Sequence, residues 1–290
     1  MHELIILEPV IKDLIWGREY WTVAALKNGE KTGDCTVKKG SLMGIKLSEL
    51  WKDHRELFGN LKGDEFPLLI KTIDARDDLS IQVHPDNDYA WTHDRAPGKT
   101  ECWYILDCGK NGSIIIGHNA GSSDELRSMV QNGRWKDLLR EIPVKKGDFF
   151  QIIPGTIHAI KKNTKLVEIQ QSSDTTYRLY DYDRIRDGKK RELHIEKSLD
   201  VINVPFKEPE RSTDNIDYRL VSCNYYTVDK RTVSGREEFC QDKPFEIISV
   251  TEGHGYIDDT EICEGDSVII PCGYGKYVVS GDLTMLITHV

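Results

Sequence analysis

The chain has 290 residues, enough for one large or two small domains. With 39% hydrophobic and 30% charged residues it reads as an ordered globular protein, and a net charge of −9 argues against nonspecific binding to nucleic acid or an anionic membrane. No run approaches about 18 apolar residues, so no transmembrane helix is expected, and the N-terminus lacks the basic start and apolar core of a secretory signal.

Taken in chain order, the pattern predicts a short helix over 47–52 and strands over 79–84 and 101–106. A second helix starts at 124–130 with an acidic first turn, is interrupted by Asn132-Gly133 and resumes over 134–140. Strand signals return within 147–158 and at 166–170, and a third helix is expected near 195–202. Most of the remainder is short apolar runs between Gly, Pro, Asn and Asp, which points to a mainly β fold, a β-sandwich or barrel with a few short helices. Seven Cys with no Cys-x-x-Cys pair argue against a disulfide framework and a structural Cys-zinc site, and favour a reducing cytoplasm.

One unit repeats. Gly147-Asp148 precedes four mainly apolar residues, then Pro154 and Gly155; Gly265-Asp266 precedes Ser267, Val268, Ile269 and Ile270, then Pro271 and Gly273. Upstream, the run from Glu101 to Leu106 has a weaker echo from Glu246 to Val250. His158 stands four residues after Pro154, and the matching position after Pro271 is Gly275, so the second copy keeps the scaffold signal without the imidazole. Between the copies, 204–212 has two prolines and alternating charge, the signature of a linker. The expected division is therefore 1–205, with the N-terminal segment and the site, and a smaller 206–290 without ligands.

The chemistry starts from the 79–84 run. Period-2 alternation places Ser80, Gln82 and His84 on one strand face and Leu79, Ile81 and Val83 on the other. An enclosed face of Ser, Gln and His needs hydrogen-bond partners or a metal. Glu101 and His158 sit in similar settings. Two imidazoles, a carboxylate and an amide oxygen form a shell for a divalent metal, with zinc the first choice.

Four separated motifs occur in order: Gln82-Val83-His84-Pro85, Lys99-Thr100-Glu101, Pro154-Gly155-Thr156-Ile157-His158-Ala159, and Tyr177-Arg178-Leu179-Tyr180-Asp181-Tyr182-Asp183-Arg184. Together with Ile15-Trp16-Gly17 and Leu193-His194-Ile195, they resemble type I phosphomannose isomerase in its short bacterial form, over nearly the whole chain. The resemblance implies a two-cupin, jelly-roll fold and a metal-dependent enzyme that interconverts mannose 6-phosphate and fructose 6-phosphate through a cis-enediol. It implies one Zn2+ per chain (other divalent metals being possible) held by Gln82, His84, Glu101 and His158, with Ser80 at the phosphate and Lys99, Glu168 and Arg178 at active-site positions. It also leans to a monomer acting on a small-molecule sugar phosphate. The segment after Trp16-Gly17 matches the family only in part, which leaves the role of the N-terminal stretch open.

Alternation over 166–170 puts Leu166, Glu168 and Gln170 on one face, where an enclosed Glu168 suits proton transfer. Lys99 is the rival base, or else a charge stabiliser. Arg178 stays charged and suits an enediolate or a phosphate. The bland readings are an ion pair for Lys99, Glu101, Glu168 or Arg178, a structural charge network for Asp181, Asp183 and Arg184, and a core position rather than a pocket wall for Trp16. Two functional rivals remain: an isomerase or epimerase of another sugar phosphate on the same scaffold, and a metal cupin that senses a sugar phosphate without turnover.

Overall fold

The computed structural model describes residues 3–27, 32–186, 188–209, 211–212 and 219–290. They form two compact units. One comprises residues 13–19 and 73–213; the other comprises 1–12, 20–72 and 214–290. The sequence places one cut at 205/206; the units instead part at 213/214, and the chain crosses between them again at 12/13, 19/20 and 72/73. The physical reason lies in strand pairing: Ile5–Glu8 hydrogen-bonds to Ser267–Pro271, with Ile5 opposite Ile269, so the N-terminal strand completes the C-terminal sheet. Of the expected linker, Glu210 lies outside the described residues, and Arg211–Ser212 pairs with Phe149 and Phe150 as an edge strand.

In the 13–19/73–213 unit, one sheet orders Leu139–Pro143, Ser113–His118, His158–Ile160, Ile81–Val83 and Tyr177–Tyr180. The facing sheet includes Arg211–Ser212, Phe149–Ile152, Glu101–Asp107 and Thr164–Gln171 in that order, followed by the 73–75 end of Leu68–Ala75. Each order is an open path, so the architecture is a sandwich rather than a closed barrel. Trp103, Ile105, Ile114, Ile116, Phe150, Ile152 and Leu166 fill the space between the two sheets. The outer face of the first sheet, with Ile81, Val83, Ile115 and Ala159, packs against helices Ser123–Gln131 and Ile195–Val201 through Leu126, Met129, Val130 and Leu199.

The expected helices form with shifted ends. Leu47–Asp53 and Ile195–Val201 match the pattern closely. Ser123–Gln131 is capped by Ser122, whose side chain accepts from the Glu125 N–H at 3.2 Å. The resumed helix is cut to Trp135–Leu138, because Leu139–Pro143 is drawn into the sheet beside Ser113–His118. Asn87–His93 is an additional helix. Its signal is only the Asp86 cap, which accepts from the Tyr89 N–H at 2.9 Å, and it has no long apolar stripe.

In the other unit, an eight-stranded sheet runs through Arg219–Ser222, Thr227–Gln241, Gly275–His289, Phe245–Ile257, Ser267–Pro271, Ile5–Glu8 and Thr36–Val37, with Thr260–Cys263 paired to Phe245–Ile257. The repeat is real in space. Gly147 and Gly265 both take left-handed φ, at 89° and 93°, which favours glycine. Asp148 Oδ2 accepts the Lys145 N–H at 3.0 Å, and Asp266 Oδ2 accepts the Cys263 N–H at 2.8 Å. The Gly147 N–H donates to Ile105 O, and the Gly265 N–H to Val250 O, both at 2.9 Å. This sets Ile105 against Val250 and hence Glu101 against Glu246. In the first copy Glu168 lies opposite Trp103; in the second, Ile287 lies opposite Ile248. The second copy has apolar side chains where the first has its buried acid.

Candidate active site

Strand register gathers the predicted residues on the inner faces of the sandwich. His158 lies opposite Gln82, and Gln82 opposite Arg178, so these three side chains form one row across the first sheet. On the facing sheet, Glu101 is flanked by Ile152 and Gln170, and Trp103 by Phe150 and Glu168. The expected alternation holds from Ile81 to His84. Leu79 departs from it and joins the cluster between the sheets, because the strand begins only at Ile81. Ser80 is buried one residue before that strand. His158 opens the strand His158–Ile160 rather than ending the previous one.

His84, Glu101 and His158 are fully enclosed, and one potential ligand atom from each falls within 4.8 Å of the others. His84 Nδ1 donates to Thr175 O at 2.9 Å and His158 Nδ1 to Thr156 O at 2.8 Å. A carbonyl only accepts, so both rings carry their proton on Nδ1 and present the Nε2 lone pair. The two Nε2 atoms stand 3.2 Å apart, and each is 3.4 Å from the Glu101 carboxylate. Burial pushes the His84 pKa down to about 3 and lowers that of His158, so both imidazoles are neutral at pH 7. Two lone pairs and a carboxylate converging in an enclosed pocket repel one another unless a cation lies between them. The donor set therefore fits a divalent metal, with carbonyl partners that fix ring orientation as metal-ligating histidines require. Gln82 Nε2 lies 3.2 Å from His158 Nε2. Turning that amide by half a revolution brings its Oε1 to the same place.

Lys99 is the cation beside this cluster, with Nζ 2.8 Å from Glu101 Oε2 and 3.8 Å from Glu168 Oε1. Burial alone would lower its pKa, but the charges of Glu101, Glu168 and Glu19 prevail and raise it to about 12. Burial likewise opposes ionisation of Glu101, and the Lys99 charge holds it well below the usual carboxylate range. Lys99 is thus kept protonated in this arrangement. Glu168 is buried and its Oε2 accepts the Trp103 indole N–H at 3.0 Å. Arg178 is nine-tenths buried and donates from Nη1 to Glu192 O at 2.7 Å, while its backbone N–H donates to His194 Nδ1 at 3.1 Å.

Trp16 sits in the core between the sheets, with the Arg191 guanidinium 5.0 Å from its ring centroid. Asp181 accepts from Arg191 at 2.7 and 2.8 Å and from Arg184, and Lys190 pairs with Asp183 at 2.6 Å, so this segment forms the structural network anticipated for it. Three features escaped the sequence reading: the Thr156 and Thr175 carbonyls, the charge of Glu19 on Lys99, and the Trp103–Glu168 contact. Backbone carbonyls leave no sequence signal. Trp103, by contrast, shares the Glu101 face by simple alternation and was legible in principle.

The model of the type I phosphomannose isomerase catalytic domain matches residues 5–104, and that of the mannose-6-phosphate isomerase cupin domain matches residues 217–290. The chain is 44% identical to the mannose-6-phosphate isomerase ManA of Bacillus subtilis (strain 168), over 99% of both chains. The chain belongs to the type I phosphomannose isomerase family. It is also 44% identical to the mannose-6-phosphate isomerase of Streptococcus mutans serotype c, covering 93% of this chain and 88% of that one. A crystal structure of the mannose 6-phosphate isomerase from Bacillus subtilis superposes with a TM-score of 0.93 at 38% identity, with full coverage of both chains. The family is metal-dependent, and His84, Glu101 and His158 are the candidate site for that metal here. No helix among the described residues is long and apolar enough to cross a membrane.

Proposed function

We propose that this chain interconverts mannose 6-phosphate and fructose 6-phosphate, an aldose–ketose isomerisation. The observation that carries the reading is the enclosed meeting of a neutral two-histidine, one-carboxylate cluster with a charged lysine and a second carboxylate, Glu168, in a chain related end to end to mannose-6-phosphate isomerases. His84, Glu101 and His158 would hold the metal, with Gln82 as a fourth ligand, and two nitrogen donors with hard oxygens suit zinc. When bound, the metal supplies Lewis-acid polarisation of the sugar oxygens.

In the open-chain aldose, Glu168 takes the proton from C2 while O1 gains a proton, giving the cis-enediol. The return of a proton to C1, with loss of the O2 proton, gives the ketose. Lys99 and Arg178 neutralise the negative charge that builds on O1 and O2, and Lys99 is already in place between Glu101 and Glu168. Burial of these groups keeps competing water out and strengthens each charge interaction. Ser80, buried beside the Gln82 strand, is assigned to the phosphate end.

The test is a panel of aldose 6-phosphates incubated with metal-loaded protein, with products followed by proton NMR. Conversion of mannose 6-phosphate to fructose 6-phosphate as the best reaction is the expected result. Preference for another sugar phosphate, or binding without turnover, would replace this reading.

A further inference from the structure

The assignment of Glu168 leaves open what holds that carboxylate still. The terminal torsion of a glutamate is broad, and proton transfer demands one oxygen within hydrogen-bond reach of the carbon acid. Trp103 is fully buried and lies directly opposite Glu168 across the strand pair Glu101–Asp107 and Thr164–Gln171. Its neighbours in the same cluster are apolar: Ile105, Phe150, Ile152 and Leu166. A Phe or Leu would fill such a place without bringing a polar atom. The indole instead brings an N–H that must find an acceptor when buried, and it donates that N–H to Glu168 Oε2 at 3.0 Å. The other oxygen, Oε1, is left on the Lys99 side, 3.8 Å from Nζ. The same ring stands edge-on to His158, with centroids 5.4 Å apart and planes at 80°.

We propose that Trp103 is a positioning residue: its indole N–H pins Glu168 Oε2, so that Oε1 is the oxygen presented to C1 and C2 of the sugar. The assignment rests on the reading of Glu168 as the proton carrier. A hydrogen bond to a charged acceptor fixes both the position and the plane of the carboxylate, and a carboxylate free to rotate spends most of its time misaligned. The edge-on contact with His158 ties the same indole to a proposed metal ligand, which keeps proton carrier and metal site in register.

The experiment is a double-mutant cycle with Trp103→Phe and Glu168→Gln in the metal-loaded, full-length protein. Turnover, KM for mannose 6-phosphate, bound metal and melting temperature are read for each variant. Trp103→Phe should lower kcat by about tenfold or more, with KM within about twofold of wild type and bound metal unchanged. In the Glu168→Gln background the same change should cost nothing further, because the group it positions is gone. Multiplicative losses in the double variant would show that Trp103 acts apart from Glu168 and would overturn the proposal, as would wild-type turnover in Trp103→Phe. If the smaller ring prevents folding, β-(3-benzothienyl)alanine at position 103 keeps the shape and replaces only the N–H by sulfur. The same loss of kcat is expected there, and its absence overturns the proposal. Near-normal turnover of Glu168→Gln alone would instead refute the proton-carrier reading, and this proposal with it; loss in Glu168→Gln without loss in Trp103→Phe would refute only the proposal.

Discussion

Replacing Lys99 by Met should destabilise the metal-free protein far more than the metal-loaded one. The ammonium lies 2.8 Å from the Glu101 carboxylate, with both side chains at least 95% buried. At an effective dielectric of about 20, that separation corresponds to an attraction of roughly 6 kcal/mol before desolvation is counted. Removing one partner of such a pair leaves the other charge buried, at a cost of about 3–5 kcal/mol. For a protein of this size each kcal/mol lowers the melting temperature by roughly 2–4 °C, so chelated Lys99→Met should melt about 10 °C below chelated wild type. A bound divalent cation supplies the missing positive charge to Glu101. The gap should therefore close substantially when zinc is added, by mass action on a site present only in the folded state. Differential scanning calorimetry of both proteins, chelated and zinc-loaded, makes the comparison. Equal melting temperatures in the chelated state, or a gap that zinc leaves untouched, would refute the view that Lys99 is the resident counter-charge of the metal site.

Glu168→Gln should keep fold and bound metal while losing most turnover; near-normal rates in a steady-state assay would move proton transfer to another group. In the metal-free protein, the depressed His84 pKa makes the unfolded chain bind a proton that the folded chain refuses between pH 6.5 and about 3. Stability should accordingly be full above pH 6.5 and decline as pH falls through that window, and His84→Gln should flatten the slope in urea melts taken across it. Ser173 Oγ donates to Pro97 O at 2.9 Å and accepts the Thr175 N–H at 3.2 Å, so it braces the carbonyl that orients His84. Ser173→Ala should weaken metal binding by about tenfold in a competition titration with a chromophoric chelator.

The site was legible because its parts lie on strands with a strict two-residue period. Gln82 and His84, Glu101 and Trp103, and Glu168 and Gln170 each share a face for that reason alone, and the register of neighbouring strands then brings the faces together. Where the strand had not yet begun, as at Leu79, the same rule gave the wrong face. The helix expected over 134–140 loses Leu139 and Arg140 to the strand Leu139–Pro143, which pairs with Ser113–His118, a tertiary choice that local sequence does not reveal. The linker signal over 204–212 falls short of the 213/214 division, and the crossings at 12/13, 19/20 and 72/73 were illegible, because strands that pair across a long stretch of chain, such as Ile5–Glu8 with Ser267–Pro271, leave no punctuation where they cross. The charge state of Lys99 also needed coordinates: the sequence shows Glu101 two residues away, whereas Glu168 approaches only through the fold.

If mannose 6-phosphate is isomerised at a metal held by His84, Glu101 and His158, metal content and turnover rise and fall together. The most direct measurement pairs metal content with turnover, for wild type and His84→Ala, before and after chelation and zinc add-back. Wild type should bind one metal per chain, lose fructose 6-phosphate formation on chelation and recover it with zinc, while folded His84→Ala should lack both metal and activity. Full turnover by a metal-free sample, or by His84→Ala, would rule out a metal at these residues as the seat of the reaction.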